Sequence, residues 1–207
     1  AQVLVCDNGS TDQTRAVVTR HGADWVYEPR RGYGAACAAG IERLDRAVEI
    51  VVFLDADLSH DPARIPDLVG PIAADRYDLV LACRDFALRE AGSTTLPQRF
   101  ANRLFPVLMS LGWGHRYRDM GPFRAVRRSS LEAMNMQDRG YGWTVEMQIR
   151  AVELGLRILE IPVPLRRRRY GKSKVSGNAA GIMRAAWGIS TTCARYWLTK
   201  RRRLSMD

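Results

Sequence analysis

This chain encodes an α/β fold, with a mostly parallel sheet flanked by helices. Three observations point to it. Short apolar runs recur at Val3–Cys6, Trp25–Tyr27, Glu49–Leu54 and Asp78–Cys83. Helical stretches with turn signals at their ends lie between them, giving the order β-α-β-α-β-α-β with right-handed crossovers. The third run, Ile50-Val51-Val52-Phe53-Leu54, is apolar without polar alternation, as suits a strand buried on both faces of a parallel sheet.

Val3 to Cys6 is the first strand. Asp7-Asn8-Gly9-Ser10-Thr11-Asp12 is a turn, and Ser10 with Gln13 forms a capping box for a helix running to about His21-Gly22. After the strand Trp25-Val26-Tyr27, the basic loop Arg30-Arg31-Gly32-Tyr33-Gly34 opens a helix from Ala35 to Ala47. The third strand ends abruptly in carboxylates at Asp55-Ala56-Asp57. In extended chain Asp55 and Asp57 point the same way. Ligands of open α/β sheets bind outside the carboxyl ends of the strands. Two acids there suit a divalent cation, which takes hard oxygen ligands and bridges to phosphates. An acidic turn capping the next helix is the plainer account of the same residues, but the place just after a buried strand favours the cation. Asp61-Pro62 starts a helix to about Ala74, with proline at its first position. Asp78 to Cys83 is a strand ending at Arg84.

Beyond Arg84 the pattern changes. Asp85 to Pro97 is a polar loop, long enough to be functional, and Gln98 to Leu111 is an amphipathic helix. Asp119-Met120-Gly121-Pro122-Phe123 is a tight turn leading into Arg124-Ala125-Val126. Gly140-Tyr141-Gly142-Trp143 is a second loop. Thr144 to Gly155 is a helix with Val145, Ile149, Val152 and Leu156 on one side. Arg157 to Leu165 is a strand whose two prolines favour a sheet edge. Arg166 to Lys174 carries six basic residues in nine positions. A last helix runs from about Asn178 to Leu198, and Lys200-Arg201-Arg202-Arg203 follows. Ile182, Ala186, Ile189, Cys193 and Trp197 make one stripe of that helix, with Arg184 and Arg195 opposite. With basic clusters at both ends, this is the pattern of a helix lying in a membrane interface and drawn by anionic lipid. A helix packed on the sheet with a solvated basic face has the same pattern.

Composition sets the outer bounds. At 207 residues and 46% hydrophobic content the chain builds one cored domain, here 1–174, with the helix and basic tail of 175–207 appended. A net charge of +10 calls for an anionic partner: nucleic acid, a membrane surface or a phosphorylated substrate. No zinc-finger, stacking-aromatic or recognition-helix signature appears, so nucleic acid is not expected. Cys6, Cys37, Cys83 and Cys193 are scattered without a Cys-x-x-Cys pair, which suggests reduced thiols and a cytosolic side. No uninterrupted apolar run reaches the ~18 residues of a membrane span.

Short motifs in order add up to a resemblance. Asp7-Asn8-Gly9-Ser10-Thr11-Asp12, the Gly32/Gly34 loop and Asp55-Ala56-Asp57 resemble family 2 glycosyltransferases of the GT-A fold. Asp119-x-Gly-Pro-Phe123 with Tyr141-Gly-Trp-Thr-Val-Glu146, and Arg168-x-x-Gly-Lys-Ser-Lys174, are similar to the branch that moves a sugar from a nucleotide donor to polyprenyl or dolichyl phosphate. The resemblance implies an inverting, metal-dependent transferase at the cytoplasmic face of a membrane, using UDP-glucose- or GDP-mannose-type donors. Asp7, Gly32, Gly34, Asp55 and Arg84 would then bind the donor. Asp55 and Asp57 would hold Mg²⁺ or Mn²⁺ on the diphosphate. Arg99, Arg168, Lys172 and Ser173 would hold phosphates of donor or acceptor. Asp57, Asp119, Glu146 and Arg168 would form the catalytic set, with Glu146 orienting sugar or acceptor.

Plainer accounts accompany several of these. Glu146 lies in a helix's first turn, where a carboxylate suits the dipole. Asp119 before glycine suits a turn. Gly32 and Gly34 permit tight geometry, and Arg99 can snorkel from a surface helix. His60 and His115 stand isolated, and Trp143 suits packing. The chain also departs from the family. Asn8 replaces an acid, Ser59 stands where some relatives have a metal-contacting Gln, and the family's first strand has no counterpart. The last departure, with an opening already inside a strand and no Met, implies a shortened chain, a gap beside the Asp-x-Asp strand and no activity for the chain as it stands. A lipid phosphate is already an anion and needs no general base. A neutral acceptor such as a polysaccharide or lipid-linked saccharide would need one from Asp119 or Glu146. A non-catalytic basic fragment that binds nucleic acid or membrane remains the alternative of another class.

Overall fold

A computed structural model describes residues 1–85, 106–164, 166 and 179–204. β1 (Leu4–Asp7), α1 (Thr14–Arg20) and β2 (Asp24–Tyr27) form a parallel pair with its crossover helix. Then come α2 (Tyr33–Glu42), β3 (Ile50–Phe53), a 3₁₀ turn (Pro62–Arg64), α3 (Ile65–Ala73) and β4 (Leu79–Asp85). A helix α4 spans 106–113. β5 (Arg124–Arg127), α5 (Arg128–Met134), α6 (Trp143–Glu153), β6 (Ile158–Pro164) and α7 (Ala179–Leu204) complete the described chain.

The strands form two sheets. β1 and β2 pair with each other, and the second sheet has the order β3-β5-β4-β6. No ladder joins the two among the described residues. β4 and β6 are parallel, but β5 runs antiparallel between β3 and β4. The sheet is therefore mixed. The chain returns between two strands that a simple crossover would have made neighbours. β6 is an edge, as its prolines require.

Alternation along the strands explains burial on both faces. Leu79, Leu81, Val126 and Val51 face the core shared with α2, α6 and α7, alongside Met147, Ile149 and Trp143. Val80, Ala82, Ala125 and Phe123 face α3, where Leu68 and Ile72 are completely buried. Each buried Val, Leu, Ile, Phe or Met among them contributes about 1.5–3 kcal/mol of transfer free energy.

Several boundaries differ from expectation. α1 begins at Thr14 without a capping box. Asp12 takes the Thr14 N–H (3.0 Å), while the Ser10 N–H goes to Asp7 (2.7 Å). α2 begins earlier, at Tyr33, and ends at Glu42. α5 was not legible at all. α7 presents a different face from the expected stripe: Ile189, Cys193 and Tyr196 pack on the core, whereas Trp197 is exposed. The outward apolar line is Met183, Trp187, Ala194 and Leu198, with Trp187 at 73% exposure. No helix among the described residues is long and apolar enough to cross a membrane.

Candidate active site

Sheet register fixes where the chemistry gathers. Phe53 and Leu81 both stand opposite Arg124, and Arg84 stands opposite Val163. The carboxyl ends of β3, β4 and β6 therefore open at one end of the sheet. The turn feeding antiparallel β5, which carries Asp119 and Gly121, opens there too. This is where open α/β sheets bind ligands.

At that end Arg84 and Asp119 form a buried knot. The Arg84 backbone N–H (3.0 Å) and Nε (2.6 Å) donate to Asp119 Oδ2, and Nη2 donates to Oδ1. The Met120 N–H also donates to Oδ1, at 2.8 Å. Burial works against the Arg84 charge, but the Asp119 carboxylate outweighs it and raises the pKa. Gly121 packs closely on the knot, where a Cβ would lie 3.1 Å from Asp119 Oδ2 and 3.2 Å from the Ala82 carbonyl. Gln148 holds the Asp119 carbonyl at 2.9 Å. Glu160, its pKa raised by burial, accepts the N–H groups of Arg118 and Asp119.

Asp55 and Asp57 sit half-buried just past β3, but not in extended chain. The backbone turns at 56–57, and Asp57 Oδ1 accepts the Ser59 N–H (2.9 Å). Leu58 is held at φ 59°, a left-handed conformation costly for a branched residue. The same-side argument for the two acids therefore fails, and an Asx turn takes its place. His60 is buried against Phe123, with ring centroids 5.4 Å apart and Nδ1 lacking a partner. Burial and the nearby Arg84 push its pKa down from 6.5, while Asp119 and Asp57 act in the opposite direction.

No group of three or more His, Cys, Asp or Glu converges on one point among the described residues. Two hard carboxylates at the mouth still fit Mg²⁺ or Mn²⁺, cations that take one or two protein carboxylates and fill the remaining positions with water and substrate phosphate oxygens. Arg166, the one described residue of the basic run, reaches the adjacent turn. The Arg166 N–H donates to the Ser59 carbonyl (3.1 Å), and its Nη2 donates to Asp61 (2.5 Å). Arg99, Arg168, Lys172 and Ser173 lie outside the described residues.

A second cluster is built on glycines. Asn8 Nδ2 donates to the Glu28 (2.8 Å) and Arg30 (2.7 Å) carbonyls, and its Oδ1 accepts the Gly32 N–H (2.9 Å). A carboxylate lacks those donors, which accounts for an amide at this position. Gly32 has φ +153°, and a Cβ there would lie 2.1 Å from the Arg139 carbonyl. At Gly34 a Cβ would lie 2.3 Å from the Asp138 carbonyl. The N–H groups of Gly34 and Ala35 are taken by the Gly140 (3.0 Å) and Arg139 (2.9 Å) carbonyls. These glycines thus admit a neighbouring backbone. Tyr33, between them, lies within electrostatic reach of Asp55 and Arg124; burial, Cys37 and Asp55 all raise its pKa.

Asp7 is buried at the end of β1. Burial raises its pKa, but the Ser10 N–H and Arg15 guanidinium prevail and bring it to about 2 from 3.8. A carboxylate with a depressed folded-state pKa contributes stability that is full above 3.8 and lost as pH falls towards 2. Urea midpoints of the wild type should therefore fall across that window. Asp7→Asn should be less stable at neutral pH and flatter across the window; equal slopes would reject the assignment.

Glu146 has no exposed surface. Its carboxylate accepts from the Gln137 and Asp138 N–H groups, Arg195 Nη2 (3.1 Å) and Tyr196 Oη (2.7 Å), tying the 137–142 loop to α7. Sequence reasoning missed Tyr33, Asp138, Gln148, Glu160 and the role of Arg124. Arg124 is 1% exposed and donates to the Gly121 and Thr144 carbonyls, with Nε unpartnered. Glu160 and Arg124 were findable as charges inside apolar strands.

Residues 1–134 match Glycosyl transferase family 2. An uncharacterised glycosyltransferase of Mycobacterium tuberculosis is 39% identical over 184 residues, covering 87% of this chain and 80% of the relative. An undecaprenyl-phosphate mannosyltransferase of Micrococcus luteus is 31% identical, covering 100% of this chain and 88% of the relative. Among solved structures, mannosyl-3-phosphoglycerate synthase from Rubrobacter xylanophilus aligns with TM-score 0.74 at 19% identity, covering 98% of this chain and 65% of its own. Glucosyl-3-phosphoglycerate synthase from Mycobacterium tuberculosis, in complex with Mn²⁺, UDP-glucose and phosphoglyceric acid, aligns with TM-score 0.71 at 24% identity, covering 92% and 68%. At those identities the likeness is one of fold, and this chain spans about two thirds of each solved chain.

Proposed function

The chain belongs to glycosyl transferase family 2, and from that membership and the chemistry of its mouth we propose that it transfers a sugar from a nucleoside diphosphate to a polyprenyl phosphate, with inversion, at the cytoplasmic face of a membrane. The observation that supports this reading is that Asp55, Asp57, the pinned Arg84 and Arg166, the first residue of the basic run, lie at one end of the sheet. Two phosphorylated molecules must be held together there. Cations aimed at both suit the task better than a general base, because the acceptor is already ionised. The undecaprenyl-phosphate mannosyltransferase relative supports that acceptor.

Asp55 and Asp57 would hold Mn²⁺ or Mg²⁺, which when bound neutralises charge developing on the leaving diphosphate. Arg84, fixed in direction by Asp119, presents its guanidinium at the mouth. Asp7 and Asn8 order the turn and glycine loop that bear the nucleotide. Arg99, Arg168, Lys172 and Ser173 take the phosphates of donor and acceptor. Glu146 and Asp119 act through the residues they hold and are positioning residues in this scheme. Trp187 and its neighbours on the outward line of α7 lie on anionic lipid, drawn by the chain's positive charge.

Labelled UDP-glucose and GDP-mannose, incubated with the protein expressed from a full-length clone and a short polyprenyl phosphate, should yield an inverted glycosyl lipid with Mn²⁺ or Mg²⁺ and none with EDTA. Phosphoglycerate serves as a parallel acceptor, because the fold is shared with a glucosyl-3-phosphoglycerate synthase solved in complex with phosphoglyceric acid. Transfer to phosphoglycerate alone would overturn the lipid acceptor. Transfer undiminished by EDTA would overturn the cation. In the same preparation, anionic vesicles should float the wild type and leave Trp187→Glu behind; equal flotation would remove α7 from the interface.

A further inference from the structure

We propose that Asp138 is a positioning residue for the donor loop, capping α2 from across the fold through a strut anchored on α7. α2 has no side chain of its own at its start: Gly32 stands at the cap, and no side-chain cap hydrogen bond forms. Its first donors are satisfied instead by the Arg139 and Gly140 carbonyls. The direction of those carbonyls is set by Asp138. One oxygen of its carboxylate accepts the Gly140 N–H at 2.7 Å, closing an Asx turn. The other accepts Thr192 Oγ1 of α7, also at 2.7 Å. Its own N–H donates to Glu146 Oε2 at 2.7 Å, and Glu146 is held in turn by Arg195 and Tyr196 of α7.

Close approach shows that the contact is built. A Cβ on Gly142 would lie 2.2 Å from Thr192 Oγ1 and 2.3 Å from Asp138 Oδ2. Gly188 of α7 faces Tyr141 at 3.6 Å from where its Cβ would stand. At the other end of the strut, Gly32 and Gly34 leave no room for a side chain against 138–140. The line thus runs from α7 through Thr192, Asp138 and the 139–140 carbonyls to Gly34. It ends at Tyr33, within reach of Asp55. Loss of the Asp138 carboxylate frees the two carbonyls to turn, and the start of α2 then loses its cap while the sheet is untouched.

The donor half of this proposal rests on the nucleotide-sugar reading above, so the experiment has one arm that does not. Amide exchange at Gly34 and Ala35 should quicken about tenfold in Asp138→Ala and in Thr192→Val, the loss expected of one helix cap, with β4 amides unchanged. Thr192→Ser, which keeps the hydroxyl, should restore wild-type exchange. In the second arm, both impaired variants should raise the KM for the nucleotide sugar about tenfold with little change in kcat. Unchanged exchange at Gly34 and Ala35 would overturn the strut whatever the nucleotide does. Faster exchange with an unchanged KM would overturn its role in the donor loop. A wild type that uses no nucleotide sugar, with the exchange response intact, would overturn the donor reading and leave a strut without the assigned role.

Discussion

Replacing Asp119 by alanine is expected to cost about 3–5 kcal/mol, the penalty for stripping one partner from a buried ion pair. For a chain of this length that lowers the melting temperature by roughly 6–20 °C. The Asp119 side chain is 1% exposed and that of Arg84 16%, so water cannot replace the lost contacts. The N–H groups of Arg84 and Met120, which the carboxylate also accepts, would be left unsatisfied as well. Asp119→Asn should fall between the two, because the amide keeps one acceptor and loses the charge. The more informative variant is the double replacement Arg84→Met with Asp119→Leu. Removing both charges avoids an unpaired cation, and well-packed apolar replacements of buried pairs are often neutral. Melting temperature should recover in part, short of wild type because of the two backbone donors. Activity should not recover, because no guanidinium then stands at the mouth. Recovery of both would show that Arg84 has only a structural use. A melting temperature of Asp119→Ala equal to wild type would sink the ion-pair account.

The elements legible in the sequence were those fixed locally. The apolar run Ile50 to Phe53 must be buried on both faces, and both faces are covered. Asp55, Arg84 and Asp119 were identified as ends of strands or as turn residues, and the register brings them to one end. The GT-A architecture implied by those short motifs is the architecture observed. What failed to show was set by partners distant in sequence. Nothing in Arg124-Ala125-Val126 says that it pairs antiparallel between β3 and β4. Asp138 reads as a loop acid until α7 brings Thr192 to it. On α7 the period was read correctly but the rotation was not, because the helix has two apolar sides. A helical wheel finds both, and only Thr192, Gly188 and Tyr196 choose which one docks.

Asp57→Asn is the variant in which chemistry and stability should separate most cleanly. In the structure Asp57 does two things at once. Its Oδ1 accepts the Ser59 N–H at 2.9 Å and so holds the turn in which Leu58 takes φ 59°. Its charge sits half-buried at the mouth beside Asp55. Asparagine keeps an oxygen in the same place for Ser59 but cannot supply the anionic ligand that a hard cation requires. Stability should therefore change by less than about 1 kcal/mol, the size of one ordinary hydrogen bond. Turnover should fall at least about 100-fold, the scale on which lost electrostatic stabilisation of developing charge is felt. Apparent affinity for Mn²⁺ should weaken in parallel, measured by titrating the metal at saturating nucleotide sugar. Asp57→Ala tests the other half, because it removes the Ser59 contact as well. Leu58 is then free to leave its left-handed conformation, and the turn carrying the Arg166 anchor loosens, so alanine should be the less stable of the two. If asparagine and alanine are equally stable, the turn does not depend on the carboxylate. If asparagine retains full activity with an unchanged Mn²⁺ requirement, the cation is held elsewhere and the reading of this mouth falls with it.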